Sequence, residues 1–148
     1  MATKKVWFDM DGTIADLYAV EGWLTYLEND DTFPYDNAQV MFNFSLFARL
    51  LNALQRKGWE IGIVSWTSKC GSDLYNGQIA YAKICWLFKH LPSVKWDSVQ
   101  IVPYGTNKYD LCGGGILFDD EERNRNEWED ISYTPENIIP ILKGLLAV

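Results

Sequence analysis

Apolar residues fall along this chain in two kinds of pattern. Val6-Trp7-Phe8, Ile61 to Ser65, Val99 to Val102 and Ile116-Leu117-Phe118 are short, nearly continuous apolar runs bounded by polar or turn residues, and they predict four strands. Between them the spacing changes to that of helices. Leu17, Val20, Leu24 and Leu27 predict one helix, and Phe47, Leu50, Leu51 and Leu54 a second, with Ser45 as its N-cap and Gly58 as its stop. Ile79, Ala82, Lys83 and Trp86 predict a third that closes before Pro92. Asn29 to Asn37 and Ser68 to Gly77 carry loop signals, and Gly113-Gly114-Gly115 reads as a flexible approach to the fourth strand. A short polar helix is predicted from Glu121. The last apolar set, Ile138 to Leu146, predicts a helix restarting near Pro140, with Thr134-Pro135 as a separate turn.

Uniformly apolar strands that alternate with helices are the pattern of a parallel sheet covered on both faces, an α/β fold. The 148 residues favour one domain, without internal repeats or low-complexity tracts. Composition adds little beyond excluding disorder, since 48% of residues are hydrophobic and 15% aromatic. The net charge of −7 argues against a stable, nonspecific grip on nucleic acid or anionic membranes, though a bound cation reverses the local field for an anionic substrate. Cys70, Cys85 and Cys112, an odd set without CxxC spacing, read as reduced, buried small side chains in a cytoplasmic protein. Lys4 and Lys5 lead into a strand that ends in acids, which is not a secretory signal, and no apolar stretch approaches the roughly 20 residues of a membrane span.

The chemistry lies where the strands end. In an open parallel sheet, sites form outside the carboxyl ends of the strands. The first predicted strand ends at Asp9 and Asp11, the second at Ser65 and the fourth at Asp119-Asp120, while Lys108 lies in the loop leaving the third. Carboxylates gathered in one place repel each other unless a cation or a shared proton intervenes. Hard oxygen ligands favour Mg²⁺. A metal and an ammonium offset the charge of a phosphate, and a hydroxyl and loop amides hold its oxygens. One carboxylate then attacks phosphorus, and a second protonates the leaving oxygen and activates water. Gly12 lets the backbone turn sharply after Asp11.

"DMDGT" after a strand resembles the first motif of the haloacid dehalogenase-like phosphohydrolases, of the form DxDGT. "IVSWTS" resembles their second motif, Lys108 matches a third-motif lysine, and "GILFDDEERN" resembles the fourth, an apolar strand ending in paired acids. The resemblance runs in order from Val6 to Asp120. It implies a three-layer Rossmann-like fold with a mainly parallel sheet, and a minimal cap within residues 17–44 of a single 1–148 domain. It also implies a role at each matched position. Asp9 would be the nucleophile and a Mg²⁺ ligand. Asp11 would be the general acid/base, giving its backbone carbonyl to the metal. Thr13 would position the turn after the first strand, and Ser65 and Lys108 would bind phosphoryl oxygens. Asp119 or Asp120 would complete the metal shell. Trp66, directly after Ser65, would stand beside the phosphate.

The motif spellings resemble the 5'(3')-deoxyribonucleotidase branch, whose cap is larger than the insert here. Three readings follow. The first is a Mg²⁺-dependent phosphomonoesterase acting on a small molecule, most naturally a 5'-nucleotide. The second is a phosphatase acting on a polynucleotide end or a phosphoprotein. The third is a non-catalytic phosphate-binding module. Phe33, Tyr35, Phe42 and Phe44 in the insert either stack on a nucleobase or form a small satellite core. Arg123 and Arg125 read as a solvated helix face, and His90 as a cation at a helix end.

Overall fold

A computed structural model describes residues 3–148. Its strands are β1 (Lys5–Phe8), β2 (Ala15–Asp16), β3 (Gln39–Val40), β4 (Glu60–Trp66), β5 (Ser98–Val102), β6 (Ile116–Phe118) and β7 (Ser132–Tyr133). Five of these form one parallel sheet in the order β5-β4-β1-β6-β7, so the predicted parallel α/β architecture is what the chain adopts. The helices are α1 (Trp23–Glu28), α2 (Phe33–Asn37), α3 (Phe44–Arg56), α4 (Asp73–His90), α5 (Lys108–Cys112), α6 (Glu122–Glu127) and α7 (Ile138–Leu146). None of these described helices is long and apolar enough to cross a membrane.

Side chains of the inner strands alternate between two cores, as the period of two requires. Val6, Phe8, Ile61, Ile63, Ile116 and Phe118 face α3, α7 and the C-terminal half of α4. Phe8 lies edge-on to Phe47 at 5.1 Å and stacks on Phe118 at 5.3 Å. Trp7, Val64 and Leu117 point the other way, against Trp128 and the partly buried Tyr109 and Cys112. A third cluster of Leu17, Tyr35, Tyr75, Ile79 and Ala82 ties α2 to α4.

The helices start where capping is available. Asn43, not Ser45, caps α3, accepting from the Leu46 amide at 3.1 Å. Gly58 follows the end of that helix as expected. Ser72 caps α4 through the Tyr75 amide, so α4 takes the last five residues of the Ser68 to Gly77 segment predicted as a loop. Pro140 sits at the third position of α7, where no intrahelical N–H is needed, and the helix therefore begins at Ile138 rather than at the proline.

Several expectations fail for local reasons. The helix predicted from Leu17 to Leu27 is a 3-10 turn at Leu17–Ala19 followed by the short α1, separated at Gly22. Asn29 to Asn37 is not all loop, because Pro34 near the first turn starts α2. The two-residue strands β2, β3 and β7 are too short to leave a periodic signature. Gly113, Gly114 and Gly115 hold φ of 80°, 126° and 103°, a fixed path that side chains disfavour rather than a flexible one. Cys70 and Cys85 are exposed and Cys112 is half-buried, not core residues. Trp7, Trp86 and Trp128 are buried, while Trp59, Trp66 and Trp96 are partly exposed.

Trp7 lies opposite Gly62 across the β1–β4 ladder. A Cβ at Gly62 would stand 2.5 Å from the indole ring, closer than any packed contact allows. Gly62→Ala should therefore lower stability by about 1–3 kcal/mol through overpacking, read as a lower denaturant midpoint at unchanged slope. Unchanged stability would mean that the Trp7 ring can move aside.

Candidate active site

Register delivers the acids. Phe8 pairs with Phe118 on one side and with Ile63 on the other, so the next residues, Asp9 and Asp119, leave adjacent strands at the same level. The Asp9 amide donates to the Phe118 carbonyl at 3.0 Å, fixing that level. The main-sheet strands, taken in chain order, run 3-2-1-4-5 across the sheet, so β1 stands where the order reverses. A crevice opens at such a point.

The chain then turns on itself. The Met10 carbonyl accepts from the amides of Thr13, Ile14 and Ala15 at 3.1, 3.0 and 2.9 Å. Gly12 holds φ of 78°, and a Cβ there would run into the Asp120 carboxylate. Both constraints call for glycine. The buried Thr13 hydroxyl lies within donating distance of Asp9 Oδ2 (3.2 Å) and Asp120 Oδ1 (3.3 Å) and accepts from the Asp120 amide (3.2 Å).

Asp9, Asp119 and Asp120 each offer a carboxylate oxygen within 4.8 Å of the others. Asp11 belongs to the same loop but not to this group of three, and its carboxylate accepts from Lys83. Lys108 is not in a loop. It is the first residue of α5, behind an Asn107 cap, and it is buried. Its Nζ donates to Asp9 Oδ1 at 3.1 Å and to Asp119 Oδ2 at 2.7 Å. Asp119 is fully enclosed, taking further bonds from Asn124 and the Glu121 amide.

Burial first, and the negative charge of Asp9 second, raise the Asp119 carboxyl to about 7 and the Asp120 carboxyl to about 8. Burial pulls the Lys108 ammonium down, but Asp9 and Asp119 more than offset it, and its net shift is upward. Three carboxylates with one ammonium leave an acid excess in an all-oxygen donor set. That set fits a hard divalent cation such as Mg²⁺, which Asp9, Asp119 and Asp120 would hold.

A second buried lysine was read only as part of a helix face. Lys83 Nζ, on α4, donates to Asp11 Oδ2 (2.8 Å), Ser65 Oγ (2.8 Å) and the Trp66 carbonyl (2.7 Å). It also lies 5.3 Å from the centre of the Tyr35 ring. Its signal in the sequence was a lysine within the apolar stripe Ile79-Ala82-Lys83-Trp86. The Asp11 carboxyl is raised by burial, with Lys83 opposing.

These groups open into a cleft of about 440 Å³, walled by aromatic rings. Trp66 and Tyr104 stand 4.7 Å apart on one side, and Tyr18 and Trp23 stand 5.0 Å apart on another. The Trp66 indole donates to the Thr106 carbonyl at 2.9 Å. The Lys108 ammonium and the Arg123 guanidinium lie 5.5 and 5.3 Å from its ring centre. Arg123 is thus not only solvated, and Arg125 donates to the Asp119 carbonyl at 2.9 Å. The insert aromatics divide. Tyr35 reaches the cleft, Phe33 stacks on Tyr26, and Phe42 and Phe44 pack onto Phe47 in the main core. His90 packs against Trp86 and Phe44, and burial lowers its pKa.

No protein-family model matches the chain, and no curated protein does. Among solved structures, D,D-heptose 1,7-bisphosphate phosphatase from Burkholderia thailandensis superposes on it with a TM-score of 0.56. That match covers 99% of this chain and 100% of the other at 13% sequence identity. The two chains share a three-layer, Rossmann-like α/β fold with a mainly parallel sheet. The likeness extends over the whole chain, and at that identity it bears on architecture alone.

Two outcomes test the electrostatics. Asp119 and Asp120 bind protons more tightly folded than unfolded, so their contribution to stability is full below about pH 4 and is lost as pH rises through 7 to 8. Added Mg²⁺ should raise the melting temperature more at about pH 8 than at about pH 5, where it must displace protons. An equal gain at both would contradict the shared acid site. Lys83→Met leaves Asp11 without its cation and should destabilise the fold by about 3 kcal/mol in denaturant melts, as for other broken buried pairs.

Proposed function

We propose that the chain is a Mg²⁺-dependent phosphomonoester hydrolase that works through an aspartyl-phosphate on Asp9 and acts on a small phosphomonoester, most naturally a 5'-nucleotide. The observation that carries this reading is the meeting of Asp9, Asp119 and Asp120 at the end of the central strand, with Lys108 between them. A bound Mg²⁺ would supply charge neutralisation for the phosphoryl oxygens. In the same reading, residues 17–44 form a minimal cap on a single domain.

The protein's own groups divide the work. An oxygen of Asp9 attacks phosphorus, and the bond to the leaving oxygen breaks. Asp11, whose carboxyl is raised by burial, gives its proton to that oxygen. It then takes a proton from the water that hydrolyses the phosphorylated Asp9, releasing orthophosphate. Lys108 holds Asp9 in place and supplies positive charge. Ser65 accepts its bond from Lys83, so its own hydroxyl proton remains available for a phosphoryl oxygen. The Trp66–Tyr104 and Tyr18–Trp23 pairs at the cleft wall support a planar leaving group, since aromatic faces stack on bases without demanding a particular one.

Tyr18, Leu24 and Tyr104 are exposed at the cleft mouth, which also favours a bulkier substrate such as a phosphorylated polymer end. A panel of mononucleotides, 5'-phosphorylated oligonucleotides and phosphopeptides, assayed for phosphate release with Mg²⁺, separates the two. Faster turnover of mononucleotides is expected. Asp9→Asn should keep the fold and cut turnover by at least about a thousandfold, because an amide is a poor nucleophile. Turnover near wild type in that variant would refute the assignment, and an inert wild type that still binds mononucleotide would leave only a phosphate-binding module.

A further inference from the structure

Helix α4 is apolar on two sides. Its inner side, with Tyr75, Ile79, Ala82, Trp86 and Leu87, is buried. Its outer side carries Leu74, Tyr81 and Phe88, exposed by 76%, 72% and 71%. Apart from the C-terminal Val148, these are the most exposed large apolar side chains among the described residues. They recur every seventh residue, the spacing that keeps side chains on one seam of a helix facing a partner helix. Ile84 lies exposed beside them. Gly77 falls on the same seam, with no atom within 4 Å of where its Cβ would stand, so another backbone can approach there. A helix that is apolar all round is ordinarily buried all round.

The charges at the two ends of this seam are opposite. Asp73 precedes Leu74, and a cavity of about 830 Å³ beside Leu74 and Tyr81 is edged by Asp30, Asp31 and Asp36. Lys89 follows Phe88, exposed, at the other end. Leu74 and Phe88 are each seven residues from Tyr81, and Asp73 and Lys89 are each eight. The face is therefore complementary to itself when reversed.

We propose that the outer face of α4 is a self-association surface, on which the α4 of a second copy lies antiparallel. Tyr81 then meets its own counterpart at the two-fold axis. Leu74 packs against Phe88 of the copy twice over, and Asp73 pairs with Lys89 of the copy at both ends. The copy's Phe88 and Lys89 enter the acidic cavity. A parallel arrangement would instead set the acidic ends together. The seam lies on the outside of the helix whose inner side holds Lys83, so association and the acid site use different residues.

Sedimentation velocity on the full chain across a concentration series tests this, in salt of about 0.15 M so that the net negative charges are screened. The wild type should sediment at twice the chain mass of 17.0 kDa. Tyr81→Glu should sediment as a single chain. Asp73→Lys and Lys89→Glu should each weaken association by about tenfold or more, since each sets like charges together, and the double variant should restore it. Circular dichroism establishes that each variant is folded. If Tyr81→Glu does not fold, the charge-exchange set decides by itself. A wild type that stays at one chain mass throughout would overturn the proposal. So would a dimer indifferent to Tyr81→Glu, or one in which the double charge exchange fails to rescue the single changes.

Discussion

The repulsion among three carboxylates held at one buried point governs the rest of this structure. Asp9, Asp119 and Asp120 come together because β1 and β6 pair in register and because the Met10 carbonyl closes the following turn. No hydrophobic gain explains acids at that place. The buried Lys108 offsets part of the charge, and protons on Asp119 and Asp120 offset another part when no cation is bound. An acid excess of this kind in an all-oxygen donor set fits a hard divalent cation.

The two buried lysines divide this task between two helices. Lys108 reaches Asp9 and Asp119 from α5, and Lys83 reaches Asp11 and Ser65 from α4. Asp9 and Asp11 are only one residue apart, yet they sit in different charge environments. In the proposed mechanism that separation gives the two carboxylates different tasks, as acid–base chemistry on paired carboxylates needs.

Much of the sheet and of the acid site was legible in the sequence because both depend on short, continuous signals. A buried strand such as Val6 to Phe8 is uniformly apolar, and the acids that follow it or Phe118 stand directly at its end. Asp9, Asp119 and Asp120 were found by position alone. Lys83 was not, because its role depends on α4 crossing over the end of β4, a tertiary relation that periodicity does not encode. The cap of α3 fell on Asn43 rather than Ser45 because both are good caps, and only the packing of Phe44 onto Trp86 and Phe47 selects between them. The aromatic walls are legible only in part, through Trp66 and Tyr35. Phe42 and Phe44 fit either recognition or a small core from sequence, and the main core claims them, while Tyr18 comes to the cleft from a 3-10 turn and Tyr104 from a loop, with no pattern to read.

The β2–β3 ribbon has a consequence for how this chain can vary. The segment from Leu17 to Ala38 leaves the sheet at Asp16 and returns at Gln39, and these two residues face each other as ladder partners. A departure and a return so close together free the length of what lies between from the geometry of the sheet. A longer or shorter lobe could be spliced in at this gate with β1 and its acids left where they are.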